Sequence, residues 1–120
     1  MMSGSHANLD LACAQLGAEL AKKSDEKTLT DALSVLEEQG VYAFFLFLKQ
    51  KKERSDLSKA CREFLPKQFG RDFDGNDEFR GTQALAKDLD KLFFARDLLR
   101  QALVYGRYHA KAASQRRTER

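Results

Sequence analysis

Two clusters of cations with aromatic neighbours are the residues of this chain whose types and spacing suit chemistry at a surface. Arg100, Arg107 and Lys111 are separated by seven and four residues, which places them on one face of a helix, with Tyr105 and Tyr108 beside them. Cations so arranged can follow a phosphate backbone, and a tyrosine ring can stack on a base. The second cluster, Lys49, Lys51, Lys52 and Arg54, follows the apolar run from Val41 to Leu48. Both clusters also admit a plainer reading, because Lys and Arg near a helix C-terminus favour the macrodipole and simply face water. Arg96 stands apart, on apolar spacing between Leu92 and Leu99. A guanidinium buried there needs a carboxylate, a carbonyl or a phosphate, and one that snorkels to the helix edge needs only Asp97 or Asp88 nearby.

Other chemistry finds little footing. Asp72, Asp74, Asn76 and Glu78 have the alternate spacing that begins a calcium loop, but Asp77 stands where the sharp turn wants glycine and Gln83 where the bidentate glutamate belongs. His6 and His109 have no serine or cysteine motif near them, and no glycine-rich phosphate cradle is present. Glu37 and Glu38 are adjacent and so point to different sides of a helix. The reading is therefore of a protein that is not an enzyme and uses no metal or cofactor. Cys13 and Cys61 lack CxxC spacing and read as small buried hydrophobes.

The elements that must position the cations are helical. With 42% hydrophobic and 32% charged residues over 120 positions, the chain has the composition of one folded, charge-rich domain. One proline and seven glycines leave too few breaks for an all-β sandwich. The expected fold is all-α, a single-domain bundle of four to five helices over 1–120 with a long C-terminal helix and flexible ends at 1–6 and 114–120. Leu9, Cys13, Leu16 and Leu20 give a first helix from about Ala7 to Lys23. A second starts between Ser24 and Asp31 and carries Leu29, Leu33 and Leu36; Gly40 either ends it or, the favoured expectation, sits inside a continuous helix that runs to about Arg54. A glycine inside it costs about 1 kcal/mol.

Val41 to Leu48, VYAFFLFL, is the most apolar stretch and far shorter than the roughly 20 residues of a membrane span, so it reads as a core helix wrapped on most sides. Ser55 and Asp56 start a third helix that ends near Leu65 or Phe69. Gly70 to Gly81 reads as a loop. The last helix has a seam of Leu85, Leu89, Leu92, Arg96, Leu99, Leu103 and Gly106 at steps of four and three, widened by Phe93, Leu98 and Ala102, which suits either an intramolecular bundle or a partner helix from another chain. The net charge of +3 hides an asymmetry: from residue 95 onward seven cations face two carboxylates, a local +5, leaving −2 for the rest. The first residues carry no signal-peptide pattern, with Asp10 and Glu19 inside the apolar stretch, and the expected compartment is the cytoplasm.

Ser34 to Lys52, SVLEEQGVYAFFLFLKQKK, resembles the central helix of the small helical subunit of type III CRISPR RNA-guided effector complexes, in the Cmr branch, with the Csm branch as the alternative. Val35, Leu36, Gln39, Gly40, Val41, Phe47, Leu48, Lys49 and Lys51 carry the resemblance. It implies a non-catalytic structural subunit that self-associates, stacking in several copies beside other effector-complex subunits and supporting guide RNA and target RNA through basic surfaces in antiviral defence. Lys49, Lys51, Lys52, Arg54, Arg96, Arg100, Arg107, Tyr108 and Lys111 are then the expected RNA-binding residues. They would track backbone charge, since an A-form duplex hides its base edges in a deep groove. The alternative is a helical protein-interaction adaptor that binds no nucleic acid.

Overall fold

A computed structural model describes the backbone of residues 2–119 and the side chains of 8–116. It comprises helices α1 (Met2–Lys23), α2 (Glu26–Gln39), α3 (Val41–Lys49), α4 (Ser55–Phe69), α5 (Glu78–Leu85) and α6 (Leu89–Glu119), with single 3-10 turns at Lys52–Arg54 and Gly70–Asp72. No strand occurs among the described residues. The end segments expected to be flexible are helical at 2–6 and 114–119, and Met1 and Arg120 lie outside the described residues.

Capping side chains explain three of the helix starts. Asp25 accepts from the Thr28 amide at 2.8 Å and starts α2. Asp77 accepts from the amides of Phe79 and Arg80, each at 3.1 Å, and starts α5. That cap shortens the expected Gly70–Gly81 loop, whose last residues are helical. Asp88 caps α6 in the same manner, so Leu85 belongs to a different helix from the rest of its expected seam.

The continuous helix expected across Gly40 is broken there. Gly40 adopts φ 95° and ψ −174°, which ends α2 and re-aims the chain into α3. Only glycine reaches that region without strain. Val41, Phe44, Phe45 and Leu48 of α3 are buried, and the Phe44 and Phe45 rings meet edge-on at 5.2 Å. The helix is less enclosed than its sequence suggests, however. Tyr42 and Leu46, one turn apart, remain 41% and 45% exposed.

The most extensive pairing joins α1 to α6. Contacts rise together along both helices, Cys13 meeting Leu98 and Gly17 meeting Ala102 and Gly106, so the two run parallel. Gly17 sits so close to α6 that a Cβ there would stand 2.6 Å from the Tyr105 Cβ and 2.8 Å from the Gly106 nitrogen. This approach keeps Leu99, Leu103 and Gly106 of the expected seam in the buried stripe of α6 and turns the first part of that seam outward. Ala95, Leu98, Leu99, Ala102, Leu103 and Gly106 face the core, small residues admitting α1, while Leu89 is 61% exposed and Leu92 and Arg96 lie at the margin. Asp10 of α1 closes the pairing by accepting from the Tyr105 hydroxyl at 2.7 Å and the Gln101 amide at 3.2 Å.

Candidate nucleic-acid interface

The break at Gly40 and the turn at Lys52–Arg54 set the C-terminus of α3 against the start of α4. Between them lies a cleft of about 380 Å³ whose lining includes Lys49, Lys51, Lys52, Lys59 and Arg62 against Asp56 and Glu78. Five cations face two carboxylates, a net of +3. One of those carboxylates is already engaged: Glu78, 8% exposed, stands 3.4 Å from the Arg62 guanidinium, which fixes the floor of the cleft. Arg62 is itself partly exposed, and its loss would leave the Glu78 carboxylate uncompensated largely away from water. Among the described residues no carboxylate lies within ion-pair distance of Lys51, Lys52 or Lys59. Three mutually repelling, unpaired ammonium groups on one concavity favour an anion with several negative centres.

The expected RNA-binding residues divide among several places. Lys49, Lys51 and Lys52 come together in this cleft. Arg54 turns away: its guanidinium lies 3.8 Å above the Phe47 ring and donates to the Phe47 carbonyl at 2.8 Å, capping the end of α3. Arg96 is half-buried with its guanidinium 5.1 Å from the Phe93 ring, and among the described residues neither Asp97 nor Asp88 lies within ion-pair distance of it. Arg100 pairs loosely with Asp97 at 3.7 Å and lies in a groove with Leu9 and Asp10 of α1. Arg107, Tyr108 and Lys111 line a different, smaller cleft of about 110 Å³ with Glu26 of α2. There the Arg107 Nε is buried with no hydrogen-bond partner, while Tyr108 is 69% exposed. The face shared by Arg100, Arg107 and Lys111 is thus divided between contacts to α1 and contacts to α2.

Compared with protein families, with curated proteins and with solved structures, the chain matches none. Lys59 and Arg62 complete the cleft and escaped the reading of the sequence, because they lie on the far side of a turn. Their signal was nonetheless present, since Lys59 and Arg62 are three apart on a helix and share a face.

The acidic loop does not gather its oxygens. Asp72 pairs with Lys91 at 2.7 Å, Asp74 accepts from the Asn76 amide, Asp77 caps α5 and Glu78 faces Arg62. Among the described residues no group of three His, Cys, Asp or Glu side chains is placed to hold a metal ion. Nor is any described helix long and apolar enough to cross a membrane. His109 is exposed, and the His6 side chain lies outside the described residues. Cys13 and Cys61 are buried free thiols, and burial pushes their ionisation up to about 11 and about 12, which leaves them inert as nucleophiles near neutral pH.

Proposed function

We propose that the protein is a non-catalytic RNA-binding subunit that holds phosphates in the α3–α4 cleft. The observation that carries this reading is the set of Lys51, Lys52 and Lys59, unpaired with any described carboxylate and lining one concavity with Lys49 and Arg62. Backbone phosphates supply repeated negative charge at the spacing of a few ångströms that such a set can neutralise together. The smaller cleft of Arg107, Tyr108 and Lys111 is a secondary contact, and Arg54 serves by holding α3 in place.

In its finer form the proposal makes this a small structural subunit of a type III effector complex, stacking in copies beside guide and target RNA in the cytoplasm. The support for that form is the resemblance of Ser34 to Lys52, the all-helical build and the basic cleft at the end of that segment. The break at Gly40 falls inside the same segment and is the feature that fits it least. A protein-interaction adaptor is the competing reading, favoured by the exposed side chains of Leu89, Phe93 and Phe94 at the start of α6.

Charge reversal separates the two. The double variant Lys52→Glu, Lys59→Glu should lose RNA retention, whereas Arg100→Glu, Arg107→Glu should weaken it less, because those residues stand outside the cleft. RNA retention by the Lys52, Lys59 variant equal to that of the parent would remove the cleft from the account. Absence of RNA binding by the parent protein would leave the adaptor.

A further inference from the structure

Beside the basic cleft the surface carries an exposed tyrosine packed on a half-buried phenylalanine. Tyr42 of α3 and Phe79 of α5 approach with ring centroids 5.1 Å apart at an interplanar angle of 57°. Tyr42 remains 41% exposed, and Leu46, one turn further along α3, is 45% exposed. Lys49 joins this pair to the cleft: it lines the cleft, and its ammonium stands 5.1 Å from the Phe79 centroid. Two steps of 5.1 Å put the Lys49 ammonium and the Tyr42 ring no more than about 10 Å apart. Glu78, on the floor of the cleft, is the chain neighbour of Phe79. A flat apolar surface and a concave cationic one thus adjoin, with a lysine at the junction.

We infer that Tyr42, braced by Phe79, is a stacking platform for an unpaired base of a single RNA strand whose adjacent phosphates lie in the cleft of Lys49, Lys51, Lys52 and Lys59. The inference rests on the assignment of that cleft to phosphate, and it changes the ligand from a duplex to a strand with at least one splayed base. In a duplex the base faces are covered by their neighbours and only the backbone reaches the cleft. In a single strand each nucleotide offers a charged phosphate and an apolar face within one repeat, and an aromatic ring next to cations recognises both. The tilt between the two rings makes Phe79 a brace rather than a second stacking partner, since it meets Tyr42 obliquely. Charge complementarity decides the occupant. An apolar peptide would leave the neighbouring lysines without a partner, whereas a nucleotide satisfies ring and ammonium together.

The test uses the full chain with a labelled eight-nucleotide single-stranded RNA, a duplex of the same length and inorganic polyphosphate. The wild type should bind the single strand more tightly than the duplex. Tyr42→Ala should weaken single-strand binding about tenfold, the scale of one base–aromatic stack, and leave polyphosphate binding unchanged. Tyr42→Phe should behave as wild type, which separates stacking from any effect of the substitution on folding. Equal single-strand affinity in Tyr42→Ala and wild type overturns the platform while leaving the phosphate cleft standing. Loss of polyphosphate binding in Tyr42→Ala overturns it too, by making Tyr42 a structural support of the cleft. Failure of the wild type to bind either RNA or polyphosphate overturns the phosphate reading itself. Binding to anionic vesicles in place of RNA, lost in Tyr42→Ala, overturns it in favour of a membrane surface.

Discussion

Replacing Gly40 by alanine distinguishes a broken α2–α3 junction from a continuous helix by the sign of one free energy. Gly40 holds φ 95° and ψ −174°. A residue with a side chain pays about 1–3 kcal/mol to occupy that region. A Cβ added at Gly40 meets nothing within 4 Å, so no clash adds to the strain. The unfolded chain loses freedom when glycine becomes alanine, which offsets about 0.4–1 kcal/mol. The balance leaves Gly40→Ala about 1.5 kcal/mol less stable than the parent. An unfolding entropy of about 2.1 cal/mol/K per residue gives about 250 cal/mol/K for this chain, so the midpoint of thermal unfolding should fall by about 6 °C. In a continuous helix the same substitution would add about 1 kcal/mol and raise the midpoint by about 4 °C. Thermal melts followed by circular dichroism read the difference directly. A midpoint unchanged or raised in Gly40→Ala would refute the broken junction, and with it the position of α3 that forms the cleft.

Four further outcomes follow from the packing, the caps and the buried thiols. Gly17→Ala should be destabilising despite the better helix propensity of alanine, because its Cβ would meet the Ala102 carbonyl at 2.7 Å and the Gly106 nitrogen at 2.8 Å. Overpacking of that kind costs about 1–3 kcal/mol, read as a lower urea midpoint, against about 1 kcal/mol gained from propensity. Asp77→Ala removes the acceptor that starts α5 and should cost about 1 kcal/mol, with faster amide hydrogen exchange over Glu78–Leu85. For the cysteines, burial raises both thiols from an ordinary 9.0, Cys13 to about 11 with Asp10 adding to the effect and Cys61 to about 12. The folded state then keeps protons that the unfolded chain releases above pH 9, so the stability present below pH 9 should fall as pH rises from 9 toward about 12. A thiol reagent at neutral pH should modify neither cysteine until denaturant is added, and rapid reaction in the native protein would contradict their burial.

The helical class and the core were legible because they depend on period. Leu29, Leu33 and Leu36 recur as a helix face and are buried, and so are Cys13, Leu16 and Leu20. Boundaries that depend on one backbone torsion were harder to read. Nothing in the composition around Gly40 distinguishes a glycine tolerated inside a helix from one at φ 95°, since the apolar pattern continues on both sides. The later half of the α6 seam, Leu99, Leu103 and Gly106, packs as expected, whereas its first turns were misplaced for a different reason. Leucine spacing marks Leu89 and Leu92, but in those turns it is Ala95 that is buried, because α1 approaches α6 closely at Ala102 and Gly106 further along. Small residues carry little hydropathy signal and decide the crossing all the same. The cleft was half legible: Lys49, Lys51 and Lys52 stand out as a run, whereas Lys59 and Arg62 join them only because the turn at Lys52–Arg54 folds α4 back on α3.

The salt dependence of single-stranded RNA binding tests the phosphate cleft most directly. Each phosphate neutralised on a single strand releases counterion and contributes about −0.7 to the slope of log affinity against log salt. Lys49, Lys51, Lys52 and Lys59 together therefore predict a slope of about −2.8 for the wild type, and Lys52→Ala, Lys59→Ala should bring it to about −1.4. A wild-type slope near zero, or one that the double variant leaves unchanged, would contradict the cleft as the place where phosphates are held.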